Sequence, residues 1–277
     1  PHPTAKKVSI KIIQMINEAI VKVGAPKNII VTVSEPSIKQ ANVMMTHPKI
    51  NMLVATGGPG VVKSVLSSGK KAIGAGAGNP PALVDETADI EKAAEDIILG
   101  CSFDNNLPCI AEKEIIVVEQ VADHLIFSMK GKGAYFVEDN SLLKKLEDLL
   151  IVDGSVNKGF IGKSAKYILD KVGVSYKDDV KVISMEVDEK HPFVQHELMM
   201  PVIPLVRVKD INEAIEVAVA VEHGFRHTAI MHSKNVDNLS AFAKAIQTTI
   251  FVKNGPSYAG IGVGGEGFTT FTIAGST

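Results

Sequence analysis

From Asn51 onward, short and nearly continuous apolar runs alternate with longer stretches whose apolar residues recur at helical spacing. That rhythm constrains the fold more than any other feature. Short apolar runs without alternation are strands covered on both faces. A strand–helix–strand repeat with brief turns closes into a parallel sheet with right-handed crossovers. Strands are predicted at Asn51 to Ala55, Ala82 to Val84, Glu114 to Val118, Ala134 to Val137, Val180 to Val187, Val202 to Val208 and Thr248 to Val252, and Thr228 to Met231 is β-prone. Helices are predicted at Val61 to Leu66, at Ala88 to Leu99 capped by Thr87, and at Val121 to Lys130. Others follow at Ser141 to Leu150 capped by Asn140, at Ile211 to Val221 capped by Asp210, and at Asn235 to Ala245. Earlier in the chain, Thr4 is the expected cap of a helix carrying Val8, Ile12, Met15, Ile16, Ala19, Ile20 and Val23. Asn28 to Val33 reads as a short buried strand, and Ser34-Glu35-Pro36 as cap and first turn of a helix to about Met45. Val152 to Gly162 is polar and irregular. The fold class is α/β.

Length and charge narrow the function. A chain of 277 residues is long enough for two domains with sizeable cores. A net charge of −2 offers nucleic acid or an anionic membrane surface nothing to hold. Two cysteines eight positions apart make neither a disulfide framework nor a zinc spacing, which favours a reducing, cytoplasmic compartment. No apolar run is long enough to span a membrane. The start at Pro1-His2-Pro3, without an initiator Met, reads as a fragment. His223, His227 and His232 cluster, but Gly224 and the β-prone residues interrupt any helical spacing, so no metal is expected.

Three stretches carry chemistry. Gly100 to Lys113 is a polar loop between a helix and a strand, and it contains Cys109. Most free cysteines are small buried hydrophobes, yet a thiol in a polar loop beside Lys113 can serve as a nucleophile. Thr56-Gly57-Gly58-Pro59-Gly60 joins a strand to a helix, where backbone N–H groups can meet a phosphate; a plain tight turn fits the residues equally well. Ile73 to Pro81 mimics a dinucleotide fingerprint, but two prolines and a strand follow instead of the helix that the fingerprint must open. Glu197 sits among apolar residues ahead of a strand, where an exposed turn carboxylate is the common case.

The run Ser102-Phe103-Asp104-Asn105-Asn106-Leu107-Pro108-Cys109 resembles the active-site loop of the CoA-acylating aldehyde dehydrogenases, the propionaldehyde, butyraldehyde and acetaldehyde type. The resemblance makes Cys109 the nucleophile and leaves Cys101 without a role. It aligns Thr56, Gly57 and Gly58 with the turn near the nicotinamide, and Glu197 to Val202 with the segment whose glutamate meets the nicotinamide ribose. His2 and Pro3 match the turn at the adenosine ribose. Met199 stands where the family usually has an aromatic. Gly74 occupies the place of the glutamate that activates water in hydrolytic members, an absence shared by the acylating branch. The implied fold has a partial NAD-binding domain over 1–100, a catalytic α/β domain over 101–255, and a segment over 256–277 that returns towards the first.

The implied activity is oxidation of a short-chain aldehyde with NAD as cofactor and CoA as co-substrate, giving acyl-CoA through a cysteine thioester. A homo-oligomer is implied for the full-length protein, in the cytoplasm or inside a bacterial microcompartment. Family members carry further cofactor-domain residues ahead of the position of Pro1, including an asparagine that is the second oxyanion donor. The isolated 277 residues are therefore expected to bind NAD weakly and not to turn over. Two other readings stand beside this one: a hydrolytic aldehyde dehydrogenase, disfavoured by Gly74, and an inactive truncated piece.

Overall fold

The computed structural model describes residues 3–265. The chain forms two compact units, Pro1–Gly74 and Ala75–Thr277.

The first unit contains α1 (Lys6–Lys22), α2 (Ile38–Thr46), β1 (Met52–Thr56), α3 (Pro59–Leu66) and β2 (Lys71–Ala75), with β1 and β2 paired. Three local expectations are corrected here. Helix α1 starts after a 3-10 turn, Pro3–Ala5, with Ala5 and not Thr4 at its N-cap. No strand forms over 28–33. Asn28 takes a positive φ of 60°, Ile29 and Val31 are 55% and 75% exposed, and the Asn17 amide donates to Ile30 O at 2.7 Å in place of a neighbouring strand. The cap of α2 is Ser37, whose hydroxyl accepts from Gln40 N–H, so Ser34-Glu35-Pro36 lies ahead of the helix.

The second unit is a seven-stranded, wholly parallel sheet in the order β11-β10-β3-β4-β9-β8-β5. Its strands are β3 (Pro81–Val84), β4 (Glu114–Val118), β5 (Ala134–Val137), β8 (Val182–Glu186), β9 (Val202–Val208), β10 (Thr228–His232) and β11 (Ile250–Lys253). A two-residue hairpin, β6 (Ile151–Val152) and β7 (Ser155–Val156), interrupts the polar stretch. Because side chains alternate along a strand, each strand feeds two cores. Ala82, Val84, Ile115, Val117 and Leu205 pack on α4 (Ile90–Ser102) and α5 (Glu119–Gly131). Leu83, Ile116, Val118, Val206 and Met231 pack on α9 (Ile211–Val221) and α10 (Val236–Ile246). At the β5 end, α6 (Asn140–Leu150) and α7 (Ala165–Val172) cover Ile183, Met185 and Val202. A short helix, α8 (Pro192–Gln195), precedes β9.

The sequence reading did not include α7, although Ser164 caps it and Gly173 ends it at a φ of 73°. Two further caps differ from expectation. Asp89, not Thr87, caps α4, and Asp139 rather than Asn140 caps α6. The division between the compact units falls at Gly74/Ala75. β3 lies in the middle of the large sheet between β10 and β4, so it and α4 are built into the second unit. Of the return segment expected over 256–277, Ser257–Ile261 forms a 3-10 turn and the part after 265 lies outside the described residues.

Candidate active site

Four loops meet at the amino ends of the neighbouring strands β10, β3, β4 and β9. Ahead of β10 stands His227; ahead of β3, Gly78 and Asn79; ahead of β4, Cys109 to Lys113; ahead of β9, Glu197. Only the strand order makes these residues neighbours, since they are scattered over 150 positions of sequence.

The Cys109 loop has an unusual backbone. Asp104, Asn105 and Asn106 take φ of 47°, 52° and 63° in succession. That region is costly for most L-residues and least so for Asn and Asp, which explains the residue types in this stretch. The left-handed turn points Asn106 inward, where its amide donates to Cys101 O and Glu112 O, both at 3.0 Å. The Lys113 ammonium donates to Asn106 O at 3.1 Å and to Asn106 Oδ1 at 2.5 Å. Helix α4 runs past Gly100 to Ser102, so that glycine does not end the helix as expected. Its role is clearance: a Cβ there would collide with the Glu112 carboxylate.

The charges around Cys109 are buried or half-buried, and of these groups Glu114 is the one without a hydrogen-bond partner. Burial pushes the half-buried Cys109 thiol above its ordinary pKa, Glu197 adds to that, and Lys113 pulls it back. Glu197 is itself raised by burial and held down by Lys113 and by the Gly78 N–H that donates to it. Lys113 is lowered by burial, with Glu197 acting against the loss of its proton. Glu112 is raised by burial to about 7. Glu114 is raised well above the carboxylate range by burial, against the pull of Lys113, and neither of its oxygens meets a donor. Cys101 is fully buried and its thiol is pushed far up.

His227 completes the group. Burial lowers its pKa to about 4, aided by the Lys113 charge, so the ring is neutral at pH 7. Nδ1 lies 2.8 Å from Thr228 Oγ1, and Nε2 is buried with no partner. Gly78 separates this ring from the cysteine: a Cβ on it would sit 2.8 Å from Cys109 O and 3.0 Å from the His227 ring. Asn79 donates to Val194 O and Val221 O, both at 2.9 Å, and leaves Oδ1 unpaired.

The structure thus brings Cys109 and Glu197 together. Thr56, Gly57 and Gly58 belong to the first unit, where Gly58 is the N-cap of α3 with Pro59 at its first position. Neither glycine has a positive φ, and a Cβ at Gly58 would meet nothing within 4 Å, so the turn is open to a phosphate. Pro3 is exposed and starts the first 3-10 turn; His2 lies outside the described residues. Reading the sequence missed Glu112, Glu114 and Asn79, and weighed His227 only as a metal ligand. The available signal was three consecutive charged residues, Glu112-Lys113-Glu114, running into an apolar strand.

Known proteins match this arrangement. The profile of the aldehyde dehydrogenase family matches residues 1–139 and 181–270. A propanal dehydrogenase (CoA-propanoylating) of Salmonella typhimurium is 51% identical over 275 residues, 99% of this chain and 59% of that protein. The crystal structure of Rhodopseudomonas palustris propionaldehyde dehydrogenase with bound propionyl-CoA superposes with a TM-score of 0.97 at 60% identity, covering 99% of this chain and 61% of that one. The propionaldehyde dehydrogenase of the Clostridium phytofermentans fucose-utilisation microcompartment superposes with a TM-score of 0.96 at 51% identity, covering 99% and 63%. It has also been solved with a histidine or a cysteine replaced by alanine, two residues at the same sequence separation as His227 and Cys109. The chain spans about 60% of the length of these relatives. With the profile matched on both sides of Cys109, the chain belongs to the aldehyde dehydrogenase family.

Proposed function

We propose that the full-length protein is a CoA-acylating aldehyde dehydrogenase, converting propanal, butanal or acetaldehyde to the acyl-CoA with NAD as oxidant. The observation that carries this reading is the Cys109 thiol set between Lys113, Glu197 and a neutral His227 at four strand ends. Cys109 Sγ adds to the aldehyde carbon, its proton passing to the carbonyl oxygen to give a thiohemiacetal. Its own backbone N–H is a natural donor to the oxygen that becomes charged, such a donor being worth about 10²–10³ in rate. When bound, NAD accepts the hydride, and the cysteine is left as a thioester. Glu197 would hold the cofactor beside Cys109, and the Thr56–Gly58 turn is proposed as a cofactor turn of the first unit on the resemblance of its sequence.

The acyl group then leaves to a thiol rather than to water. Gly74 has no side chain, and the structure shows what a side chain there would meet. Gly74 is buried in β2, and a Cβ would lie 2.7 Å from Val62 Cγ1 on α3. The clash, not a positive φ, opposes a glutamate at this position. Water lacks a positioned base there, whereas a thiol is already partly ionised near pH 7. In the tautomer whose Nδ1–H donates to Thr228 Oγ1, His227 Nε2 is free to take the proton of the incoming thiol. In this reading the enzyme is a homo-oligomer of the cytoplasm or of a bacterial microcompartment, the setting of the Clostridium relative. Among the described residues no helix is long and apolar enough to cross a membrane.

The test is NADH formation from propanal with and without CoA, with the product assayed as acyl-CoA or free acid. CoA-dependent NADH and acyl-CoA are the expected result. Mainly free acid would favour the hydrolytic reading and would show that another residue activates water.

A further inference from the structure

The turn after β11 is fastened to the cysteine loop through one buried side chain. Glu112, three residues past Cys109, is fully buried. Its Oε1 accepts from Ser257 N–H at 2.8 Å, and its Oε2 accepts from Ser257 Oγ–H at 2.7 Å. Ser257 is itself completely buried and opens the 3-10 turn Ser257–Ile261. The Glu112 carbonyl is fixed by the Asn106 amide at 3.0 Å, and Gly100 leaves the clearance the carboxylate occupies. Around this clasp, Ile261 and Ile110 form a small core on which Cys109 and Tyr258 pack. The Tyr258 ring lies 5.2 Å from that of Phe103.

We infer that Glu112 is a positioning residue for the reaction of Cys109, acting through Ser257 to hold the Ser257–Ile261 turn against the cysteine. It touches no reacting atom. Apart from its own backbone N–H, the donors to the Glu112 carboxylate both belong to Ser257, so its hydrogen bonds bear on the wall beside Cys109. Misplacing that wall by about 1 Å can cost on the order of 10²-fold in rate. The inference rests on the acylating reading above.

The clasp predicts a pattern among variants of the full-length protein. Glu112→Gln preserves both bonds, because the amide oxygen accepts from Ser257 N–H and the amide N–H donates to Ser257 Oγ. Glu112→Ala loses both, and Ser257→Ala loses one without touching the backbone bond. Steady-state kinetics with propanal and with CoA, each varied at saturation of the other substrates, separate the cases. Glu112→Ala and Ser257→Ala should raise KM for propanal by roughly 10-fold or more while KM for CoA stays within about 2-fold, the alanine at 257 having the smaller effect. Glu112→Gln should stay within about 3-fold of wild type throughout. If Glu112→Ala does not fold, Ser257→Ala against Glu112→Gln decides the question. A Ser257→Ala enzyme with unchanged aldehyde KM, or a Glu112→Gln enzyme as impaired as the alanines, overturns the inference. A wild type without CoA-dependent turnover would instead refute the reading on which it rests.

Discussion

The two ends of the large sheet differ in how far their buried polar groups are satisfied, although Nε2 of His232, at the carboxyl end of β10, is also without a partner. At the carboxyl ends of β3 and β10, Asp85 is fully buried and fully used. Its Oδ1 accepts from Thr87 N–H and Oγ–H at 2.9 and 2.7 Å, and its Oδ2 from Ser233 Oγ–H and Asn238 Nδ2 at 2.6 and 2.9 Å. Thr87 Oγ1 in turn accepts from Lys234 and Asn235 N–H. At the amino ends, both oxygens of Glu114, Oδ1 of Asn79 and Nε2 of His227 have no protein partner, and a thiol, a lysine and carboxylates share little solvent. Unsatisfied buried groups cost free energy, so a fold keeps them where chemistry needs them. Open α/β sheets usually work at the carboxyl ends of their strands. Here the proposed site lies at the amino ends instead.

Substitutions test the contrast. The largest effect belongs to the amino end: in the full-length protein Cys109→Ala should abolish acylation, a loss of at least about 10⁴-fold in kcat/KM, while Cys101→Ala leaves it within a few-fold. NADH bursts and thioester trapping measure both, and the reverse outcome would move the nucleophile to α4.

At the carboxyl end, Asp85→Ala should remove about 3 kcal/mol of stability by stranding four donors, yet leave kcat/KM per folded molecule within about 2-fold. Urea denaturation alongside kinetics checks it; a kinetic defect in the folded fraction would erase the distinction between the ends.

The smallest expected effect is a slope with pH. Glu112 has its pKa raised from 4.5 to about 7 in the folded protein. Between those values the folded state holds more protons than the unfolded chain, so this group makes stability fall as pH rises through that window. Glu114, shifted in the same direction, contributes likewise. Glu112→Gln should therefore flatten, without abolishing, the decline in thermal midpoint from about pH 5 to 7. An unchanged slope would mean that Glu112 titrates like an exposed carboxylate.

Much of this architecture was legible in local pattern. Glu114–Val118, Ala134–Val137, Val202–Val208 and Ile211–Val221 fall where the apolar runs and the Asp210 cap place them. Local pattern failed where a distant residue decides. An apolar run over 28–33 is left exposed, and Gly100 stays helical because Glu112 needs its missing side chain. The site divides in the same manner. Cys109 and Glu197 are proposed from stretches that resemble a family's, whereas the placement of His227, Asn79 and Glu112 beside them depends on which strands lie side by side. Strand order in a parallel sheet is not written in any short segment.

The direction of the chain has one more consequence. Helices in such a sheet run opposite to the strands, so α4 ends at Ser102 and α9 at Val221 with their carbonyl ends toward the amino-end cluster. Each such end carries roughly half a negative charge. An anion formed there meets an unfavourable field, and Lys113 only partly offsets it. Cys109 therefore rests as a thiol, and thiols react slowly with peroxides and alkylating agents compared with thiolates. On the function proposed above, the polarity that hinders the nucleophile at rest also shelters it from oxidative damage.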